Sequence, residues 1–300
     1  MSEQRDQLTF ANPVTRYEDL DIPEQSQPEP GLDADLTPKP DRGEKGYRGT
    51  GRLAGRKALV TGGDSGIGAA VAIAFAREGA DVAFGYLPAE EEDARTVSEL
   101  IEAEGRKAVK LPADITTSEA ARGIVDQAAE ALGGLDILVN NAGHQKSTAR
   151  FEDLTDDQLR ETFDTNILAM FWTSQQALKY LPEGATIINS TSVQAYQPSE
   201  DKIDYASTKA AINNFTKGLA QYLAPKGIRV NGVAPGPIWT PLQVQGGQQT
   251  EDLPDFGKQT ALGRAGHPVE LAPAYVFLAS PESSYVVGET LNVNGGMPTP

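Results

Sequence analysis

Residues 57–68 read Lys57-Ala58-Leu59-Val60-Thr61-Gly62-Gly63-Asp64-Ser65-Gly66-Ile67-Gly68, an apolar run, a glycine-rich turn and the opening of an Ala-rich apolar segment that continues to Phe75. That order is strand, turn, helix, the context in which a glycine motif carries meaning. Gly62 permits the tight turn, Gly66 lets backbone approach a pyrophosphate, and Gly68 lets helix and strand pack closely. The helix N-terminus adds unpaired N–H groups and a partial positive charge. Asp64, Ser65, Gly66 and Ile67 are therefore candidates for a dinucleotide phosphate site.

Outward from this turn the alternation repeats. Apolar runs predict strands at 57–61, 81–86, 106–111, 135–140, 185–190, 227–233 and 288–293. Between them lie helical patterns. The first covers about 66–78, and the second is opened by Pro88 with Glu90 to Asp93 at its positive end. The third follows a Thr116-x-x-Glu119 capping box and stops at Gly133-Gly134. Longer helices are predicted from the Thr155-x-x-Gln158 cap to about Leu181 and over 204–224, and a last one over about 268–279. Alternation of this kind predicts an α/β fold, a doubly wound parallel sheet with helices on both faces. Ligands of such sheets bind beyond the carboxyl ends of the strands. Tyr86-Leu87, Asp114-Ile115, Asn140-Asn141-Ala142-Gly143, the Ser192 loop and Pro235-Gly236-Pro237-Ile238 all stand at such ends and crowd one edge.

Tyr205 and Lys209, four apart on a predicted helix, share one face. A phenol titrating near ~10 is a poor proton shuttle at neutral pH, and a neighbouring ammonium favours the phenolate. Ser192 lies thirteen residues upstream of Tyr205, at a strand end, where its hydroxyl could hold the same substrate oxygen. Such a set suits giving a proton to a carbonyl or taking one from an alcohol while hydride moves elsewhere. Asn166 falls on the apolar stripe outlined by Leu159, Phe163, Met170 and Leu178, where an amide needs partners.

With these residues on the page, residues 53–297 resemble the short-chain dehydrogenase/reductase family. The likeness rests on the TGxxxGxG turn at Thr61–Gly68, the NNAG segment at Asn140–Gly143, Asn166, Ser192, the YxxxK pair Tyr205/Lys209 and Pro235-Gly236, in this order and spacing. The Gly62–Gly68 turn, Tyr86-Leu87-Pro88 and a long N-terminal arm resemble, more narrowly, a bacterial branch described as aldehyde or alcohol reductases and general stress proteins. The resemblance implies a Rossmann-type sheet in the order 3-2-1-4-5-6-7 and a nicotinamide cofactor. It implies hydride transfer between nicotinamide and a small aldehyde, ketone or alcohol, sugar-like compounds included. In it Tyr205 is the general acid or base, Ser192 orients the oxygen, and Lys209 binds the nicotinamide ribose and lowers the Tyr205 pKa. Asn166 either bonds backbone as a core amide or, as the family implies, holds a water of a proton relay. Asp114 resembles the acid that meets the adenine amino group and also reads as a helix N-terminal acid. Further implied cofactor contacts are Gly62, Ile115, Asn141, Ala142, Gly143, Pro235, Gly236, Ile238 and Thr240. A homotetramer built on paired long helices is implied as well, with Phe171, Trp172, Phe215, Leu219 and Tyr222 as candidates for its interface. An epimerase or dehydratase that retains its cofactor, and a non-catalytic dinucleotide-binding stress protein, are the alternatives.

An NAD enzyme usually places an Asp after strand two and an NADP enzyme an Arg nearby. Here Tyr86 and Leu87 stand at those positions, Ser65 stands in the glycine turn, and Asp64 would repel a 2′-phosphate. NAD(H) is favoured, with NADP(H) open. On the substrate side His144, Gln145, Gln194, Tyr196 and Trp239 are expected to rim the nicotinamide, and the Gln- and Gly-rich residues 239–262 read as a mobile lid.

The chain has 300 residues, no cysteine, two histidines and a formal charge of −16. The charge argues against nucleic acid and anionic membranes as partners. No run is apolar enough to span a bilayer and no signal sequence is evident, so a cytoplasmic home is expected. Without cysteine there are no disulfides or thiolate ligands, and two histidines argue against a histidine-based metal site, so none is expected. Residues 1–52 are acidic and Pro-rich, preceding a catalytic domain over 53–300. Isolated anchors (Tyr17, Leu20, Ile22, Leu32, Leu36, Tyr47) make a docked arm and a solvated tail equally compatible with the sequence.

Overall fold

In the computed structural model, which describes residues 6–17 and 20–299, seven parallel strands form one sheet in the order 3-2-1-4-5-6-7. The strands are β1 (Lys57–Thr61), β2 (Asp81–Tyr86), β3 (Ala108–Pro112), β4 (Ile137–Asn140), β5 (Thr186–Ser190), β6 (Arg229–Pro235) and β7 (Thr290–Val293). The central strands are apolar without alternation because both faces are covered: β1, β2, β4, β5 and β6 are buried almost throughout. The helices are α1 (Gly66–Arg77), α2 (Glu91–Ala103), α3 (Ser118–Leu132), α4 (Asp156–Phe163), α5 (Ala169–Ala177), α6 (Ile203–Leu223) and α7 (Ala272–Ala279). One core lies under α1, α2 and α7, where Phe75, Phe84 and Tyr275 are fully buried. A second lies under α3, α5 and α6, around Leu59, Ile124, Leu138 and Leu223.

Several local expectations shift. The cap of α3 is Thr117, which accepts from Ala120 N, rather than Thr116; the Asp114 carboxylate takes the Thr116 N–H at 3.0 Å and keeps the chain turning there. The single helix expected from Thr155 is two helices joined by a π turn at Asp164–Leu168. The Thr155 cap itself forms, accepting from Gln158 N. The expected stripe holds in part: Asn166 and Met170 are buried, Phe163 and Leu178 are half-buried, and Leu159 is exposed, while Thr162, Thr173 and Ser174 are buried as well. The loop after β6 is also more structured than a lid of irregular chain, with a π turn at Gln243–Gly247 and a 3₁₀ run at Thr250–Asp255.

Residues 20–52 are laid over the domain. Ile22 and Leu36 are buried against Trp239, Val244, Leu253 and Ala265, with Leu20 packed on the same cluster. Burial of each such side chain contributes about 1.5–3 kcal/mol. The Tyr17 ring lies 4.2 Å from that of His267, whose Nδ1 accepts the Asp41 N–H at 2.9 Å. Burial pushes that imidazole down to about 4, so it is neutral at physiological pH and free to accept. Leu8, Phe10 and Val14, nearer the start, are exposed.

Candidate active site

Three strand-end turns meet at the carboxyl edge of the sheet. After β1, Gly62 has φ +62°, a value that side chains rarely adopt, and a Cβ on Gly68 would fall 1.8 Å from the Gly62 carbonyl oxygen. The turn is thus kept narrow by two glycines for two different reasons, conformation and contact. The turn after β4 is sewn to it. Thr61 Oγ1 accepts from Asn141 N and Ala142 N, both at 3.0 Å, and Asn141 Nδ2 donates to Gly62 O at 3.0 Å. Asn141 Oδ1 in turn accepts from Ser190 Oγ at 3.2 Å, bringing in β5. The third turn, after β6, is held by Gly236 N donating to Val293 O at 3.0 Å.

Along this edge runs a cavity of about 520 Å³. Gly62, Asp64, Ser65, Gly66 and Ile67 line it from the glycine turn, and Tyr86, Leu87, Asp114 and Ile115 from the ends of β2 and β3. Asn141, Ala142, Gly143, Pro235, Gly236, Ile238 and Thr240 line its middle, and His144, Gln145, Ser192, Gln194, Tyr205 and Lys209 its far end. Gly68 is not at the wall; its place is the helix–strand contact. The first N–H groups of α1 have no partner within the helix, and one of them, on Gly66, donates to Asp33 Oδ2 of the arm at 2.8 Å.

Two expected substrate residues lie elsewhere. Trp239 is fully buried in the cluster under the arm, where its Nε1 donates to Pro38 O at 2.8 Å, so it is a docking post for the arm and not a wall of the cavity. Tyr196 ends the short 3₁₀ turn Val193–Ala195 and is not among the lining residues. Conversely, sequence reading missed Glu29, Pro30 and Gly31 of the arm, together with Glu90, Glu161 and Lys202, all of which line the cavity. The isolated anchors of the arm were the one available signal that it reaches the domain.

At the far end Tyr205, Lys209 and Ser192 are all buried. Burial pushes the Tyr205 phenol up to about 12, against a lowering by its hydrogen bond with the Ser192 hydroxyl. Burial also pushes Lys209 down to about 8. The Lys209 Nζ stands 5.2 Å from the centre of the Tyr205 ring and donates to Ser190 O at 3.1 Å. Asn166 sits in the π turn with its amide fully committed. Its Oδ1 accepts from His144 N at 2.7 Å, while its Nδ2 donates to His144 O at 2.9 Å and to Thr208 Oγ1 at 3.0 Å. Of the two sequence readings, backbone bonding is what this side chain does.

The carboxylates near the glycine turn are unusual. Asp64 is 1% exposed and its Oδ2 has no protein partner. Burial pushes its pKa well above the usual range, and pushes Glu90 up to about 7 and Asp33 up to about 6. Among the described residues, Lys202 and Lys209 are the lysine or arginine side chains lining the cavity, and Lys209 is at the far end beside Tyr205.

Residues and shape fit a dinucleotide: a glycine cradle with helix N–H donors at one end, and a buried hydroxyl–phenol–amine set at the other. A family model described as enoyl-(acyl carrier protein) reductase matches residues 62–298. The oxidoreductase YghA of Escherichia coli is 58% identical over 95% of this chain and 97% of its own length. The glucose and ribitol dehydrogenase of Daucus carota is 43% identical over 91% and 96% respectively. The structure of a short-chain dehydrogenase of Burkholderia cenocepacia in complex with NADP superimposes with a TM-score of 0.76 at 39% identity, covering 82% of this chain and 98% of its own. No helix among the described residues is long and apolar enough to cross a membrane. This chain belongs to the short-chain dehydrogenase/reductase family and is an oxidoreductase.

Proposed function

We propose that the protein interconverts a small, polar aldehyde or ketone and its alcohol, with Tyr205 as the proton donor and acceptor. The observation that carries this reading is that Ser192, Tyr205 and Lys209 line the same cavity as the glycine turn. A nicotinamide bound in that cavity supplies the hydride. In reduction the neutral Tyr205 phenol gives its proton to the carbonyl oxygen, which the Ser192 hydroxyl orients. Lys209, below about 8, is the ammonium that supports the phenolate left behind. Asn166 acts as a positioning residue: its side chain fixes the backbone at His144 and holds Thr208 on the helix that carries Tyr205. Gln145, Gln194, Gln243, Gln245 and Gln248 give the substrate end amide walls, which suit a hydroxylated compound and accord with the carrot relative's named substrates. The test is a panel of short aldehydes, ketones and polyols assayed with both cofactors by the absorbance of reduced nicotinamide. Turnover on at least one class is expected. Cofactor carried tightly through purification, with no net reduction or oxidation on any, would instead favour an epimerase or dehydratase.

NAD(H) is the cofactor we propose, on the strength of Asp64 and Glu90 at the end of the cavity that lacks a cation. The complex of the Burkholderia relative is with NADP, so the choice needs its own measurement. Glu90, held near 7, loses its proton between about pH 6 and 8, and Asp64 can only add to the charge. Repulsion of a 2′-phosphate therefore grows with pH, and the ratio of NADP(H) to NAD(H) dissociation constants should rise several-fold over that interval. Fluorescence titration at both pH values checks it; a constant ratio, or a preference for NADP(H) at pH 8, removes these carboxylates from the selection.

Assembly as a homotetramer is proposed from the outer face of α5 and α6. Phe171 and Tyr222 are exposed there, and the rings of Phe171 and Phe215 lie 4.3 Å apart. Light scattering is expected to return about four times the 31.9 kDa chain, and a single-chain mass would reject it.

A further inference from the structure

His144 is held at the far end of the cavity by its own backbone, gripped at N and O by Asn166, and its ring is 5% exposed. Two carboxylates from distant parts of the chain turn toward the same ring nitrogen. Glu29 of the arm places Oε1 2.9 Å from Nδ1, and Glu161 of α4 places Oε1 3.9 Å from it. The three donor atoms lie within 4.8 Å of one another. Separations of about 3–4 Å are those of neighbouring ligands around a cation bound at about 2.1 Å. The approach of Glu29 is built: Gln27 N donates to Val244 O at 3.0 Å and Gly31 N to Gln245 Oε1 at 2.6 Å, fixing the arm on either side of it.

Around this point the only balancing charge from a neighbouring side chain, among the described residues, is the His144 imidazole itself, whose pKa burial lowers but the Glu29 carboxylate raises. Among the described residues, neither Glu29 nor Glu161 has a lysine or arginine partner within ion-pair distance; Lys146 acts on Glu29 only from farther away. Asp204 adds a third negative charge toward the ring, and it is already served by Thr162 Oγ1 at 2.9 Å and Gln158 Nε2 at 3.3 Å, so it stands outside the ligand set. A neutral ring protonated on Nε2 would turn the Nδ1 lone pair toward a carboxylate. One protonated on Nδ1 would leave Nε2, which has no partner in the protein, with a buried lone pair. A cation bound at Nδ1 offsets both glutamates and, like a proton there, leaves the Nε2 N–H without a protein partner.

We propose that Glu29, His144 and Glu161 bind one divalent cation of the zinc or manganese type at the far end of the cavity. Imidazole with two carboxylates suits those ions better than magnesium or calcium. Count alone, two histidines in the chain, argued against such a site; the ligand set needs only one of them because two glutamates complete it. The cation would also tie the arm to the core, since one ligand comes from each of the arm, the turn after β4, and α4.

The test uses the full chain, stripped with EDTA and without cofactor or substrate, so its outcome is independent of the proposed redox chemistry. Titration with MnCl2 and, separately, ZnCl2 is expected to show about one equivalent bound and a raised melting temperature. Substoichiometric Mn²⁺ should broaden the ring proton resonances of His144 and spare those of His267. Glu29→Gln and Glu161→Gln, near-isosteric changes, should each weaken binding by at least about tenfold. Absence of binding by about 1 mM of either ion, equal broadening of both histidines, or unchanged affinity in the double variant Glu29→Gln/Glu161→Gln would overturn the site.

Discussion

Tyr205→Phe is expected to lower kcat by about 10²–10⁴-fold, the contribution of a positioned acid or base, while leaving the cofactor dissociation constant within about twofold of wild type. The substitution deletes one hydroxyl and keeps the ring, so the packing of a side chain 6% exposed is preserved. What is lost is the proton held on that oxygen and its hydrogen bond with Ser192. Two neighbouring groups are engaged elsewhere: Lys209 donates to Ser190 O, and the Asn166 amide is committed to His144 and Thr208. Steady-state rates on whichever substrate the panel identifies, with cofactor binding followed by fluorescence, give both quantities. A kcat within about threefold of wild type would take Tyr205 out of the chemistry.

The largest effect on stability is expected at Glu78, the C-terminal residue after α1, and it concerns the arm. Its side chain is fully buried, and its carboxylate collects donors from the segment that leads into β1. Oε1 accepts from Tyr47 Oη at 2.9 Å and from Arg52 Nη2 at 2.6 Å; Oε2 accepts from Thr50 N at 2.9 Å and Arg52 N at 3.0 Å. Burial opposes the charge, but Arg52 and the two main-chain donors outweigh it and hold the carboxyl down at about 2. Glu78→Gln removes the charge and turns an NH2 toward groups that are themselves donors. Breaking a buried pair from one side costs about 3–5 kcal/mol. The folded pKa is depressed, so this stability is present above the ordinary carboxyl value of 4.5 and is lost as pH falls toward about 2. Melting curves from pH 7 to pH 3 should show a large drop for the variant at pH 7 that narrows as the wild type loses the same contribution. Parallel curves, or a loss below about 1 kcal/mol at pH 7, would show that the arm junction does not depend on this carboxylate.

The arm also explains where sequence reading stopped. The family model matches residues 62–298, so the catalytic motifs lie inside the matched part and the arm outside it. Tyr17, Leu20 and Ile22 stand out in the sequence as apolar residues with no core of their own, and they pack on the domain. What they pack on was not readable. Trp239 is an aromatic in a loop after β6, which from spacing alone belongs at the nicotinamide; it is covered instead by Ile22, Leu36 and the Pro38 carbonyl, some two hundred positions away.

By itself the sequence determined the sheet, its parallel winding and the edge at which the site forms. Those features follow from local causes: Gly62 in a left-handed turn, apolar runs of strand length, helix caps such as Thr155, and a four-residue spacing that puts Tyr205 and Lys209 on one face. The tertiary structure alone decided the rest. The π turn at Asp164–Leu168 interrupts its helix, and no periodicity announces one inserted residue. Depth of burial, set by the whole fold, pushes the Tyr205 phenol up and the Lys209 amine down, which a four-residue spacing alone does not show. The meeting of Glu29, His144 and Glu161 depends on three segments that share no local pattern, because contact between them is a property of packing and not of neighbouring residues.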